Sequence, residues 1–187
     1  MAAIALLMQL SSPGWLPPYL KFCFVISYVV LAPYVGAFAD RLPKGQVMFI
    51  SNLVKIGGCL LMLIGIHPLV AYSLVGLGAA AYSPAKYGIL TEYLPHSRLV
   101  AANGWIEGLT VGSIILGTVL GGILIAPKVS ATLLAIDVPG LDSGIDTPAE
   151  MAIAAITLFY LIAAVFNLYI PSTGVPMKAL PSNPWET

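Results

Sequence analysis

The chain has 187 residues, of which 59% are hydrophobic and only 9% are charged, and its mean hydropathy is +0.94. Soluble domains carry about 25% charged residues, so this composition excludes an ordinary soluble domain and indicates an integral membrane protein. The formal net charge is zero, which argues against nucleic acid as a partner.

The first element is a short apolar stretch at residues 1–10, followed by Ser11-Ser12-Pro13-Gly14. It lacks the basic start and the cleavage site of a signal peptide. It is also shorter than the roughly 20 residues that a transmembrane helix needs. We therefore interpret residues 1–12 as the C-terminal remnant of a first transmembrane helix.

Five longer apolar runs follow, and each is long enough to cross a membrane as a helix. Transmembrane β-strands need only about 9–11 residues with strict alternation, which these runs do not show, and helices satisfy their own backbone hydrogen bonds in lipid. The sequence therefore predicts an all-α integral membrane bundle over residues 18–171, with five full transmembrane helices, a partial first helix and no β-sheet. The five predicted helices cover about residues 18–41, 47–66, 69–91, 99–126 and 151–171.

Two polar stretches lie outside these runs. Residues 129–150 are predicted to form a loop that contains four acidic residues. Residues 172–187 are rich in Pro, Ser and Asn, and we predict a disordered cytoplasmic tail or a linker between two halves.

Basic residues near the ends of the predicted spans indicate the orientation. The positive-inside rule makes the side with more Lys and Arg cytoplasmic. One side collects Arg41, Lys44, Arg98 and Lys178, whereas the other side has Lys21 and Lys128.

Three ionisable residues lie inside the predicted spans: Lys55, Lys86 and Glu107. A charge at the bilayer centre costs about 2.5–3.5 kcal/mol on insertion scales, so such residues line a pathway or pair with a partner. Lys86 is close enough to the cytoplasmic end to reach the interface by snorkelling, which is its alternative interpretation. Because Lys86 and Glu107 differ in depth by about one turn on neighbouring helices, we expect both to face the bundle interior and to approach each other.

Asn103, Glu107 and Thr110 fall on one face of the fourth predicted span. Such a stripe is either a packing seam with polar contacts or the wall of a cavity. We favour the cavity because placing a carboxylate inside the membrane costs more free energy than helix packing alone would offset. The sequence has no phosphate-binding loop, no metal-ligand spacing and no catalytic triad. We therefore predict no cofactor, no metal and no enzymatic activity.

The segment Gly36-Ala37-Phe38-Ala39-Asp40-Arg41-Leu42-Pro43-Lys44-Gly45 resembles the loop motif of the major facilitator superfamily, G-x-x-x-D-R-x-G-[RK]-[RK]. Gly36, Asp40, Arg41 and Lys44 match the motif, whereas Pro43 and Gly45 depart from it. An ordinary charged turn between helices is the alternative. The resemblance implies that this loop joins helices two and three on the cytoplasmic face, and it makes Asp40 an alternative partner for Lys86.

The segment Tyr82-Ser83-Pro84-Ala85-Lys86-Tyr87-Gly88-Ile89-Leu90 is similar to the fourth helix of the bacterial lysophospholipid transporters. Asn103-Gly104-Trp105-Ile106-Glu107 resembles their Asn-Gly-x-x-Glu, and residues 167–171 resemble the end of their sixth helix. The resemblance covers most of residues 28–171. Full-length members have twelve helices, so it implies an N-terminal fragment whose partner is a missing C-terminal half-bundle.

The resemblance further implies transport of lysophospholipid, chiefly lysophosphatidylethanolamine, across the bacterial inner membrane for reacylation. The implied partners are the lipid bilayer, the lysophospholipid and an acyltransferase/acyl-carrier-protein synthetase that acts on the transported lipid. The lysines would attract the phosphate, and Glu107 would attract the ethanolamine ammonium. The residues predicted to bind or translocate the substrate are Lys86, Glu107, Lys55, Tyr82, Tyr87 and Asn103.

Two other functions stay open at this stage. A general exporter of amphiphilic drugs or small solutes would have the same architecture. A membrane enzyme or an assembly factor would use Lys86 and Glu107 as a purely structural charge pair.

Overall fold

The computed structural model describes residues 16–134 and 146–171, and every regular element in these two ranges is a helix. The predicted all-helical class is confirmed for this part of the chain. Residues 1–12 and 172–187, interpreted above as a helix remnant and a tail, lie outside the described residues. In chain order the helices are α1 (Leu16–Arg41), α2 (Lys44–Leu63), α3 (Pro68–Tyr93), α4 (His96–Ile125), α5 (Pro127–Leu134) and α6 (Pro148–Leu168).

Three of these helices, α2, α4 and α6, are both long and apolar enough to cross a membrane. Helices α1 and α3 have 26 residues each, which exceeds the roughly 20 that a span requires. Helix α3 is made less apolar by Pro84, Lys86 and Glu92, which lie within it. The described residues therefore support three spanning helices, and the total of five stays a prediction.

Helix α2 ends three residues before its predicted end at Ile66. Gly65 adopts φ +83°, a left-handed conformation that glycine adopts without a steric penalty. The Ile66 N–H then donates to the Leu61 carbonyl at 2.9 Å and the Gly65 N–H to the Met62 carbonyl at 3.2 Å. This pair of bonds is a Schellman motif, which satisfies carbonyls at the helix end and terminates the helix.

Helix α6 begins before its predicted start because Thr147 and Glu150 form a capping box. The Glu150 carboxylate accepts the Thr147 N–H at 3.0 Å, and the Thr147 hydroxyl accepts the Glu150 N–H at 3.3 Å. Pro148 occupies the first helical position, where its fixed φ suits a helix and its missing N–H costs nothing. Glu150 therefore belongs to a helix start and not to the predicted loop.

The predicted loop at residues 129–150 also contains a short helix. Pro127 starts α5 directly after α4, and the Ser130 N–H donates to the Ala126 carbonyl at 2.9 Å. The proline ends one helix and begins the next because it lacks the N–H that continues a helix but fits the first helical position.

Helix α3 is the centre of the bundle, and it packs against α1 on one side and α2 on the other, while α2 also packs against α6. Glycines allow these backbones to approach closely. A Cβ at Gly78 would lie 2.6 Å from the Ser51 carbonyl oxygen, and a Cβ at Gly76 would lie 2.9 Å from the Phe24 carbonyl oxygen. Small residues at helix interfaces allow the van der Waals packing that stabilises helix pairs in lipid.

In the part of the chain that the structure describes, two apolar clusters form the core, one near each end of the bundle. The first joins the beginnings of α1, α3 and α6 to the end of α2, and the second joins the end of α1, the beginning of α2 and the later part of α3. Helix α4 contributes no buried residue, and among the described helices it meets only α3, α5 and α6, over short stretches.

Candidate functional site

Four residues connect α3 to α4 through side-chain contacts, and we name Lys86, Tyr87, Glu107 and Thr110 the hairpin cluster. The Lys86 ammonium donates to the Thr110 hydroxyl with Nζ and Oγ1 3.1 Å apart, and it lies 4.7 Å from the centroid of the Tyr87 ring. The Tyr87 hydroxyl donates to Glu107 Oε1. The cluster therefore holds an ammonium and a carboxylate on facing helices.

The predicted ion pair between Lys86 and Glu107 is wrong. Lys86 and Tyr87 are consecutive on α3 and point about 100° apart around the helix, so Lys86 reaches Thr110 while Tyr87 reaches Glu107. Glu107 is exposed, and its carboxylate contacts Tyr87 on α3, so its predicted interior position stays a prediction. The alternative pairing of Lys86 with Asp40 does not form either, since Asp40 pairs with Lys44.

The contacts within the hairpin cluster leave both charged groups able to bind a ligand. Thr110 donates its own hydroxyl proton to the Ile106 carbonyl at 2.7 Å, so it serves Lys86 only as an acceptor. An ammonium has three N–H donors, and Lys86 uses one of them for its hydrogen bond to the Thr110 hydroxyl. Glu107 has a second carboxylate oxygen in addition to the one that Tyr87 contacts. The arrangement can therefore bind an anionic and a cationic group side by side.

A second polar group lies among α2, α3 and α6, and we name Asn52, Lys55, Tyr82, Tyr160 and Asn167 the buried cluster. Lys55 Nζ donates to Asn52 Oδ1 at 3.1 Å. The ammonium also lies 4.2 Å from the centroid of the Tyr82 ring and 5.4 Å from that of Tyr160. Both distances fall within the range of attractive cation–π contacts.

The buried cluster separates two residues that the sequence analysis grouped with Lys86. Tyr82 contacts Lys55 through its ring, and its hydroxyl lies beside the Asn167 side chain. Along α2 and α3, these residues lie between the two apolar clusters of the core. Lys55 and Tyr82 thus belong to a different environment from the hairpin cluster.

Sequence reasoning missed Asn52, Tyr160 and Asn167 as members of a site. Asn52 precedes Lys55 by three residues, and this spacing places two side chains on the same helical face. That spacing was a usable signal for Asn52. Tyr160 and Asn167 lie more than 100 residues away in sequence, and only the packing of α6 on α2 brings them to Lys55.

The residues of the loop motif form a third group, the loop cluster of Asp40, Lys44 and Glu92. Lys44 Nζ lies 2.6 Å from Asp40 Oδ1 and 3.7 Å from Glu92 Oε1, and it donates to the Ala39 carbonyl at 2.9 Å. The cluster connects the end of α1, the beginning of α2 and the end of α3. Of the other predicted residues, Gly36, Arg41 and Asn103 are exposed.

The described residues contain no group of three or more His, Cys, Asp or Glu side chains that could hold a metal ion.

Comparison with known proteins agrees with this helical architecture. The sequence model of the Major Facilitator Superfamily matches residues 6–182. The lysophospholipid transporter LplT of Yersinia enterocolitica serotype O:8 is 43% identical over 170 residues, which are 91% of this chain and 37% of that protein. The lysophospholipid transporter LplT of Yersinia pestis (strain Pestoides F) gives the same identity and coverage. No solved structure matches the chain.

These relatives confirm the resemblance to lysophospholipid transporters that the sequence motifs indicate. They are transporters by name and not enzymes. The chain spans 37% of the length of these relatives.

Proposed function

Because the chain belongs to the major facilitator superfamily, a family of multi-pass membrane transporters, we propose that it takes part in moving lysophospholipid across a membrane. The observation that carries this proposal is the hairpin cluster, in which an ammonium and a carboxylate lie on facing helices without pairing with each other. The names of the relatives support the choice of substrate.

The chemistry of the substrate matches this pair of charges. The headgroup of lysophosphatidylethanolamine carries a phosphate and an ammonium a few bonds apart. Lys86 is suited to the phosphate because charge-assisted hydrogen bonds to phosphate are among the strongest in proteins, and Glu107 is suited to the ammonium. Tyr87 and Thr110 would hold the two charged groups apart so that each meets its counterpart on the lipid.

We further propose that transport requires a second helix bundle. Transporters of this type move two bundles against each other around a site near the bilayer midplane, and the chain spans 37% of its relatives' length. The exposed surface of α4 gives such a bundle a place to pack.

We assign the protein to the bacterial inner membrane, with the loop cluster on the cytoplasmic side. The basic end of the bundle, which carries Arg41, Lys44 and Arg98, supports this orientation through the positive-inside rule. A lysophospholipid delivered to the cytoplasmic leaflet needs an acyl donor to become a bilayer lipid, so an acyltransferase is the class of enzyme that would consume the transported molecule.

A chimera tests the proposed function. We suggest replacing the matching part of the Yersinia enterocolitica relative with this chain and measuring uptake of labelled lysophosphatidylethanolamine in spheroplasts that lack their own transporter. The changes Lys86→Ala and Glu107→Gln should each reduce uptake at least about tenfold, because each removes one charge-assisted contact of about 1.5–3 kcal/mol.

Matched controls are available at the start of α5 and in the turn before α6. Lys128→Ala and Asp146→Asn each remove one exposed charge outside the hairpin cluster, and they should leave uptake unchanged. Membrane insertion of all variants is measured in parallel. Normal uptake by inserted Lys86→Ala and Glu107→Gln proteins, or export of amphiphilic dyes with no uptake of lysophospholipid, would contradict the proposal.

A further inference from the structure

The buried cluster has a hydrogen-bonding feature that the transport site does not use. Asn52 and Asn167 are only 2% and 7% exposed, and the Nδ2 atom of each has no hydrogen-bond partner among the described residues. A buried donor without an acceptor costs about 1–3 kcal/mol. Two such donors in one cluster indicate that an acceptor binds there.

The charge of the same cluster is also uncompensated. Lys55 is 8% exposed, and its ammonium forms no ion pair with any residue in the described ranges. Its partners are one neutral amide oxygen and two aromatic rings. Aromatic rings and an amide offset part of the cost of burying a cation, but a buried charge without an opposite charge stays expensive.

The four residues that carry these features are connected to one another. Lys55 contacts Asn52 at 3.1 Å and the Tyr82 ring at 4.2 Å, and the Tyr82 hydroxyl lies beside Asn167. Three kinds of donor are therefore present in one connected cluster: an ammonium, two amide N–H₂ groups and a phenol hydroxyl. In these four side chains, hydrogen-bond donors outnumber acceptors, and the net charge of the group is positive.

From these observations we propose that the buried cluster is a binding site for a single anionic group, such as a halide, inorganic phosphate or the phosphate of a lipid, held by Lys55, Asn52 and Asn167. Apolar core lies on either side of the cluster along the bundle, so the bound anion is screened from solvent. An anion bound there neutralises the Lys55 ammonium and accepts hydrogen bonds from the amide N–H groups of Asn52 and Asn167. This site is separate from the hairpin cluster, and the inference does not require that the protein transports lipid.

Thermal unfolding of the full chain in detergent tests the site. The melting temperature Tm is measured in sodium gluconate and then with increasing chloride, or with increasing phosphate, at constant ionic strength. A ligand that binds only the folded state raises Tm in a saturable way, and we expect a rise of at least about 2–4 °C. A separate titration with lysophosphatidylglycerol in gluconate distinguishes a lipid phosphate from a free anion as the source.

Two variants connect the effect to the buried cluster. Lys55→Met keeps the length of the side chain but removes the charge, and Asn52→Asp places a carboxylate beside Lys55 in nearly the same volume. Both should abolish the response of Tm to anions. Asn52→Asp should in addition have a Tm in gluconate at least as high as that of the unaltered chain in chloride, because it supplies the negative charge internally. This variant decides the question even if Lys55→Met does not fold.

Lys128→Met is the matched control, because Lys128 is exposed in α5, and it should keep the full response. If water alone is the acceptor, Tm of the unaltered chain will not depend on the anion or the lipid, and the proposal is wrong. It is equally wrong if Asn52→Asp responds to anions as the unaltered chain does.

Discussion

Lys44, Lys55 and Lys86 lie on the two central helices α2 and α3, and each ammonium meets a different kind of partner. Lys44 contacts two carboxylates, Lys55 contacts an amide and two aromatic rings, and Lys86 contacts a hydroxyl and one ring. Within the described ranges, carboxylates therefore neutralise Lys44 alone of these three. This difference is why we assign anion-binding roles to Lys55 and Lys86 and a structural role to Lys44.

A stability measurement tests the structural role of Lys44. The Lys44 side chain is 9% exposed, whereas those of Asp40 and Glu92 are 50% and 19% exposed. Lys44→Met leaves these two carboxylates without their shared cation, and we expect a loss of about 1–2 kcal/mol in the free energy of unfolding, since solvent screens the Asp40 part of the interaction.

Arg41→Met is the control for this change, because Arg41 is exposed and forms no ion pair within the described part of the chain. It should change stability by no more than about 0.5 kcal/mol. Unfolding is followed by circular dichroism as the denaturing detergent SDS is added to mixed micelles. Equal stability of the two variants would contradict a structural role for Lys44.

At the scale of the helices, glycines have different surroundings in α3 and in α4. Gly76 and Gly78 lie against the backbones of α1 and α2, whereas a Cβ added at Gly104, Gly108 or Gly112 would have no neighbouring atom within 4 Å. Glycine is therefore required for close packing in α3. In α4, these three glycines have no packing role within the described bundle.

Gly78→Ala should destabilise the bundle by about 1–3 kcal/mol, because its Cβ would lie 2.6 Å from the Ser51 carbonyl oxygen and backbone cannot move aside cheaply. Gly108→Ala is the matched control. It has open space around it, and alanine favours a helix over glycine by up to about 1 kcal/mol. Unfolding in SDS mixed micelles gives both values, and an equal change in stability for the two variants would rule out the close packing of α3 on α2.

At the scale of the whole molecule, the basic residues mark one end of the bundle. Arg41 and Lys44 flank the turn between α1 and α2, and Arg98 lies in the first turn of α4, just after the end of α3. Lys128 follows the opposite end of α4, whose 30 residues extend about 45 Å. The helices therefore place Arg98 and Lys128 on opposite sides of any membrane that α4 crosses. Asp142, predicted to lie with Lys128, is outside the described residues.

Labelling of single cysteines checks this orientation. Arg98→Cys and Lys128→Cys are made in a background where Cys23 and Cys59 are replaced by alanine. In intact cells a membrane-impermeant maleimide should label position 128 only, and in inverted membrane vesicles position 98 only. Labelling of both positions from the same side would show that α4 does not cross the membrane, and the reverse pattern would show that the orientation is inverted.

The sequence by itself determined the helical class and the approximate position of each long helix. Long apolar runs with few charges form helices in lipid, because a helix satisfies the hydrogen bonds of its backbone groups within itself. Helix ends were less predictable. The end of α2 at Gly65 and the start of α6 at Thr147 depend on local hydrogen bonds that the apolar pattern does not contain. The sequence T-P-A-E at residues 147–150 nevertheless carried a readable capping signal.

Only the tertiary structure decided which side chains meet. Helical periodicity fixes the angle of Lys86 and Glu107 around their own helices, but it does not fix how α3 and α4 are rotated against each other. That rotation brings Lys86 to Thr110 and Tyr87 to Glu107. The surroundings of Lys55 depend in the same way on α6, since Tyr160 reaches it only through the packing of a helix that begins more than 90 residues later in the chain.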